Sequence, residues 1–186
     1  METRTSSAAF RTRAEEDGAK RIEGYFAVFG SDYEMWPGYS ESIDPHAFDG
    51  AIDGEDIRCL IDHETRLVLG RTVAGTLTLQ ADEKGLWGSC LVNEQDQDAM
   101  NLYARVERGD VSQCSFGFDI LGEENEVKDD GSVHTTITKV KLYEVSCVTF
   151  PAYTETGIEA RKAHVGEVRR ERLEAWKAER LARLKR

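Results

Sequence analysis

Val133-His134-Thr135-Thr136-Ile137-Thr138-Lys139-Val140-Lys141-Leu142-Tyr143-Glu144-Val145-Ser146-Cys147-Val148-Thr149-Phe150 is a long β-rich run, and Pro151 ends it. Working outward toward the N-terminus, residues 122–131 form an acidic loop and residues 114–121 a strand. Residues 94–108 read as a helix, because Ala99, Leu102, Tyr103 and Val106 share one face and Gly109 stops it. Before that helix, residues 86–92 form a strand that returns from a turn at Asp82-Glu83-Lys84-Gly85. Residues 67–70 and 72–79 are two further strand candidates. Residues 57–61 form an apolar strand that runs into Asp62-His63-Glu64. In Ile43-Asp44-Pro45-His46-Ala47-Phe48, Asp44 suits a helix N-cap and Pro45 the first helical position, so a short helix is expected there. Residues 31–40 are expected as a loop and residues 21–30 as a strand ending on glycine.

The two ends differ from this middle. Residues 1–20 are polar without periodicity and are expected to be a mobile arm. Beyond Thr156 the chain is helical and strongly charged. Val165, Val168, Leu173, Trp176, Leu181 and Leu184 spread over a wide sector of that helix, which suits docking better than a coiled-coil seam. The fold class is therefore α+β, mainly antiparallel β and barrel-like, with one central helix and a C-terminal helical extension. Its expected division is an arm at 1–20, a core domain at 21–158 and a basic helix at 159–186.

Length and composition bound the function. A chain of 186 residues with 40% hydrophobic content can bury one core. No apolar run approaches the roughly 20 residues that cross a bilayer, and no secretory signal opens the chain, so a cytoplasmic protein is expected. Cys59, Cys90, Cys114 and Cys147 are scattered singly, with no CxxC pair, and read as free core thiols without a zinc site. The net charge is −11. Residues 161–186 hold 10 Lys/Arg against 4 Glu, a net of +6, whereas residues 1–160 hold 14 against 31 Asp/Glu, a net of −17. An acidic body argues against direct nucleic-acid binding.

Four histidines narrow the search for a general base. His164 lies in the basic tail and is expected to be solvated, His134 reads as an exposed strand residue, and His46 suits packing or capping. His63 terminates the apolar strand at 57–61, so a sheet holds its backbone while the side chain emerges at the edge, as a base requires. The candidate nucleophile is Ser115 in Ser112-Gln113-Cys114-Ser115-Phe116-Gly117-Phe118. Phe116 and Phe118 share one strand face, which sends Ser115 and Gly117 to the other and leaves room for a peptide to approach. Ser112 and Cys114 are rivals, although Cys114 points to the core face. Glu144 is an acid embedded in an apolar strand and needs a partner. That partner is either the imidazole N–H of His63, whose tautomer it would fix, or a cation such as Lys139 or Arg71.

Several blocks together resemble a known family: Ile22-Glu23-Gly24-Tyr25 with Ala27-Val28-Phe29; Pro45-His46-Ala47-Phe48; Leu60-Ile61-Asp62-His63-Glu64 followed by Leu69-Gly70-Arg71-Thr72; Ser115-Phe116-Gly117-Phe118; and Glu144-Val145-Ser146-Cys147-Val148-Thr149-Phe150-Pro151-Ala152-Tyr153. In order and spacing they are similar to the phage prohead serine proteases, over about three quarters of the chain. That family in turn resembles the herpesvirus assemblins, which implies a β-barrel wrapped by helices. The resemblance implies His63 as base, Ser115 as nucleophile and Glu144 as the acid that orients His63, with no metal or organic cofactor. It also implies a place inside the procapsid, in the host cytoplasm. The substrates would be the scaffold segment of the major capsid protein and the protease itself. A homo-oligomer is compatible with it. Two alternatives stand beside it: a non-catalytic capsid- or scaffold-binding module, and a cysteine peptidase using Cys114.

Overall fold

The computed structural model describes residues 1–6, 10–14, 18–150 and 155–184. In chain order the elements are β1 (Glu2–Ser6), β2 (Arg11–Ala14), β3 (Lys20–Val28), β4 (Tyr33–Trp36), β5 (Tyr39–Ile43), β6 (Arg58–Ile61), β7 (Glu64–Arg71), β8 (Leu77–Ala81), β9 (Gly85–Leu91), α1 (Gln97–Arg108), β10 (Gln113–Val127), β11 (Val133–Val148) and α2 (Glu155–Leu184). The β-rich run is β11, the spine of the larger sheet. Along one edge β11 pairs antiparallel with β10, and along the other it pairs parallel with β5 near its start and with β6 near its end. β1 lies antiparallel on the far edge of β10, β4 on β5 and β7 on β6. A second, wholly antiparallel sheet runs β2-β3-β9-β8. Among the described residues the strands thus form two open sheets of seven and four strands and no closed barrel.

Alternation places the core between them. Phe116 and Phe118 of β10 and Val145 and Cys147 of β11 are buried, and Phe48 meets Phe116 edge-on at 5.7 Å. All four cysteines are buried. Helix α1 adds Ala99, Leu102, Tyr103 and Val106 from the face its sequence predicts. Its N-cap is Asp96, whose carboxylate accepts from the backbone of Asp98 and Ala99. Its end is Gly109 at φ 88, in the left-handed region glycine enters most easily.

Four expectations are corrected. Residues 1–20 supply two strands, β1 and β2, where an arm was expected. Residues 31–40 hold most of a hairpin, β4 and β5, not a loop. The helix expected from Asp44 is a chain of turns; Asp44 does accept from the His46 backbone, but Phe48 and Ala51 are drawn into the core and Gly50 adopts φ 72. The acidic stretch continues β10 to Val127, because β11 offers its whole length as a template and pairs Glu126 with His134 and Glu123 with Ile137. In addition, residues 72–79 divide into a 3₁₀ turn and β8.

Among the described side chains, the charged helix docks through residues 161–169. Val165 packs in a small cluster with Tyr39 and Val133, while Leu173, Trp176 and Leu181 are exposed. No helix among the described residues is long and apolar enough to cross a membrane.

Candidate active site

His63 owes its position to a tight hairpin. Ile61 of β6 pairs with Glu64 of β7, leaving Asp62 and His63 as a two-residue loop. Both have positive φ, 51 and 60, as a type I′ turn requires. Asp and His enter this region more readily than most residues, but still at some cost. The end of β11 over-determines the turn: the Asp62 carboxylate accepts from the Thr149 backbone at 2.6 Å and from its hydroxyl at 2.9 Å. The Asp62 N–H donates to the Cys147 carbonyl at 2.9 Å.

From that turn the imidazole reaches across β6 to β11. Its Nδ1 lies 2.7 Å from Glu144 Oε1, joining residues 81 apart in sequence. Glu144 is buried, and its other oxygen accepts from the Ser146 hydroxyl at 2.5 Å. The carboxylate is therefore satisfied on both sides, which is how a buried acid is tolerated. Of the cationic alternatives, Arg71 is engaged elsewhere, in a two-point pair with Asp56. His63 Nε2 is buried and has no hydrogen-bond partner among the described residues.

Ser115 sits one step along the same sheet face. On β10 it pairs opposite Ser146, and Gly117 pairs opposite Glu144. Gly117 makes room, but not for a peptide as expected: a Cβ there would collide with Glu144 Oε1, so the space belongs to the carboxylate. Ser115 is fully buried, and its hydroxyl donates to the Arg4 carbonyl of β1 at 2.9 Å. In this structure the serine proton is thus held by β1 and not by His63.

A sequence profile described as Caudovirus prohead serine protease matches residues 8–171. The chain belongs to that family. The prohead protease of Enterobacteria phage HK97 is 28% identical to it over 151 residues, covering 79% of this chain and 63% of the phage protein. The chain thus spans less than two thirds of that relative's length. No solved structure matches it.

In this member of the prohead protease family the rival nucleophiles lie apart from His63 and Glu144. Ser112 is exposed ahead of β10. Cys114 faces the core, and its thiol donates to the Tyr25 carbonyl at 2.7 Å. Two histidine expectations are corrected. His134 is half-buried, with its ring nitrogens each 2.8 Å from the hydroxyls of Ser40 and Ser42. His164 stays half-exposed and only partly solvated, with Nε2 2.5 Å from Glu123 Oε1. His46 is exposed beside Asp49.

Sequence reasoning missed Ser146 and the other buried acid of the larger sheet. Ser146 was legible: two residues after Glu144 on a strand, it had to share its face. The acid is Glu41 of β5, nearly inaccessible, with Arg4 Nε 2.6 Å from Oε2 and Arg161 Nε 2.6 Å from Oε1. Burial pushes the Glu41 carboxyl up, but the Arg4 and Arg161 guanidiniums outweigh it and hold the group below the ordinary carboxylate value.

Proposed function

We propose that this protein is a serine endopeptidase in which Ser115 is the nucleophile, His63 the general base and Glu144 the acid that orients it. The observation that carries the proposal is the 2.7 Å bond from His63 Nδ1 to Glu144. It assigns the ring proton to Nδ1 and leaves Nε2 as the acceptor a hydroxyl nucleophile needs. Ser115 supports the same assignment, since it lies diagonally across the β10–β11 pair from Glu144. Diagonal neighbours stand about 7–8 Å apart, a gap of the size an imidazole fills.

The chemistry is acyl transfer. Ser115 Oγ attacks the peptide carbonyl carbon while His63 Nε2 takes its proton. The imidazolium, stabilised by Glu144, then protonates the departing amine, and water resolves the acyl-enzyme by the same route. Family membership supports capsid maturation as the setting, with the scaffold segment of the major capsid protein and the chain itself as substrates, cut inside the procapsid.

The test is co-expression with the cognate capsid protein, wild type beside Ser115→Ala, read by intact mass. Capsid shortening with wild type alone is the expected result. Equal trimming by both variants, or by neither in assembling proheads, overturns it. The complete burial of Ser115 favours a second reading, a non-catalytic capsid-binding module. A serine-directed phosphonate separates the two, because a binding module stays unlabelled when proheads assemble.

A further inference from the structure

The strand that carries Ser115 is held on one edge by β11 and on the other by β1. β1 runs antiparallel to residues 114–118, from Ser6 opposite Cys114 to Glu2 opposite Phe118. Its sequence, Glu-Thr-Arg-Thr-Ser, contains no apolar side chain. Hydrophobic burial therefore contributes little to its attachment; the main-chain ladder and Arg4 hold it, together with the Met1 amine 3.0 Å from Asp119 of β10.

Arg4 enters a socket built by the rest of the fold. It is 8% exposed. Its guanidinium lies 5.6 Å from the centre of the Phe118 ring, and its Nε donates to Glu41 Oε2 at 2.6 Å. Within β1 itself, Nη2 contacts Glu2 at 2.6 Å and Nη1 the Thr3 carbonyl at 2.9 Å. Glu41 is prearranged without β1. The Tyr39 hydroxyl and Arg161 Nε take its other oxygen, at 2.5 and 2.6 Å, and so turn Oε2 toward the groove. The residue whose side chain fills this socket is the one whose carbonyl oxygen receives the Ser115 hydroxyl. A backbone slot on an edge strand, a pocket for one side chain and a nucleophile at that same residue's carbonyl are what recognition of an extended peptide requires.

We propose that the groove along β10 is a binding site for an extended peptide, that Glu41 and Phe118 make it selective for arginine at the residue opposite Phe116, whose carbonyl receives the Ser115 hydroxyl, and that β1 is its built-in occupant. This rests on Ser115 being the nucleophile. The socket suits arginine better than lysine, because a planar guanidinium stacks on a ring while donating to a carboxylate. The resting chain is accordingly self-blocked: a substrate reaches Ser115 only when β1 leaves.

The experiment uses the full chain, wild type and Arg4→Ala, with thermal unfolding to establish that both are folded. Labelling of Ser115 by a fluorophosphonate is followed by intact mass. It is repeated with the octapeptide Met-Glu-Thr-Arg-Thr-Ser-Ser-Ala and with the same peptide carrying alanine in place of arginine. Arg4→Ala is expected to label at least tenfold faster than wild type, the equivalent of losing at least about 1.4 kcal/mol of β1 attachment. The arginine octapeptide is expected to protect Arg4→Ala at least tenfold more effectively than its alanine counterpart. Labelling no faster than wild type, or equal protection by the two peptides, overturns the proposal while leaving a labelled Ser115 to support the peptidase reading. If neither chain is labelled, the peptidase reading fails, and anisotropy of the fluorescent octapeptides on Arg4→Ala decides the site: tenfold discrimination upholds it and equal or absent binding removes it. Should Arg4→Ala not fold, Arg4→Gln takes its place under the same criteria.

Discussion

Glu144 and Glu41 are both carboxylates on strands of the larger sheet, and both are almost inaccessible to water. They differ in what neutralises them. Glu144 has an imidazole and a serine hydroxyl, two neutral-capable partners that can move a proton. Glu41 has two guanidiniums, which cannot give one up under any physiological condition, and a tyrosine hydroxyl. The same residue type in similar burial is thus set among an imidazole and a hydroxyl in one place and among fixed cations in the other. Sequence context does not separate them, since each sits in a strand; the residues brought opposite them do.

The largest expected effect sharpens the chemical side. Glu144→Gln keeps the shape of the side chain but offers His63 the wrong tautomer, so capsid trimming should fall about 10⁴-fold with the thermal midpoint nearly unchanged. Retained activity would mean that Glu144 is only a structural acid. On the other side, Arg161→Ala strips one cation from a buried cluster and should lower stability by about 3–5 kcal/mol in urea unfolding. A loss below about 1 kcal/mol would make Glu41 no different from a surface pair. Ser146→Ala removes the hydrogen bond to Glu144 Oε2 and should slow trimming about tenfold, roughly 1.4 kcal/mol in the barrier, with folding intact.

The smallest effect is in pH. Glu41 is held below its ordinary value in the folded chain, so the unfolded chain binds more protons as acid is added. Its contribution to stability is complete above the ordinary carboxylate value and is lost as pH falls toward the depressed one. One such group contributes a slope of at most about 1.4 kcal/mol per pH unit. Urea unfolding across acidic pH should show a shallower slope in Arg161→Ala, where less depression remains. An unchanged slope would place the acid sensitivity in another carboxylate.

Much of this protein was determined by local sequence. Strand alternation alone separated Ser115 from Phe116, Phe118 and Cys114, because successive side chains on a strand must face opposite ways. The apolar stripe and Gly109 defined α1, since a 3.6-residue period and a left-handed stop are local properties. The end of the strand at 57–61 placed His63 at a sheet edge. Tertiary structure decided the rest. The pairing of β1 with β10 joins residues more than 100 apart, the His63–Glu144 contact spans 81, and Arg4, Glu41 and Arg161 come from three distant segments. Nothing in the polar sequence of β1 marks it as a strand, nor does the acidic end of β10; each becomes one because a long partner leaves backbone donors and acceptors that must be paired. Local preference writes the elements, and the requirement to satisfy buried backbone and buried charge chooses their partners.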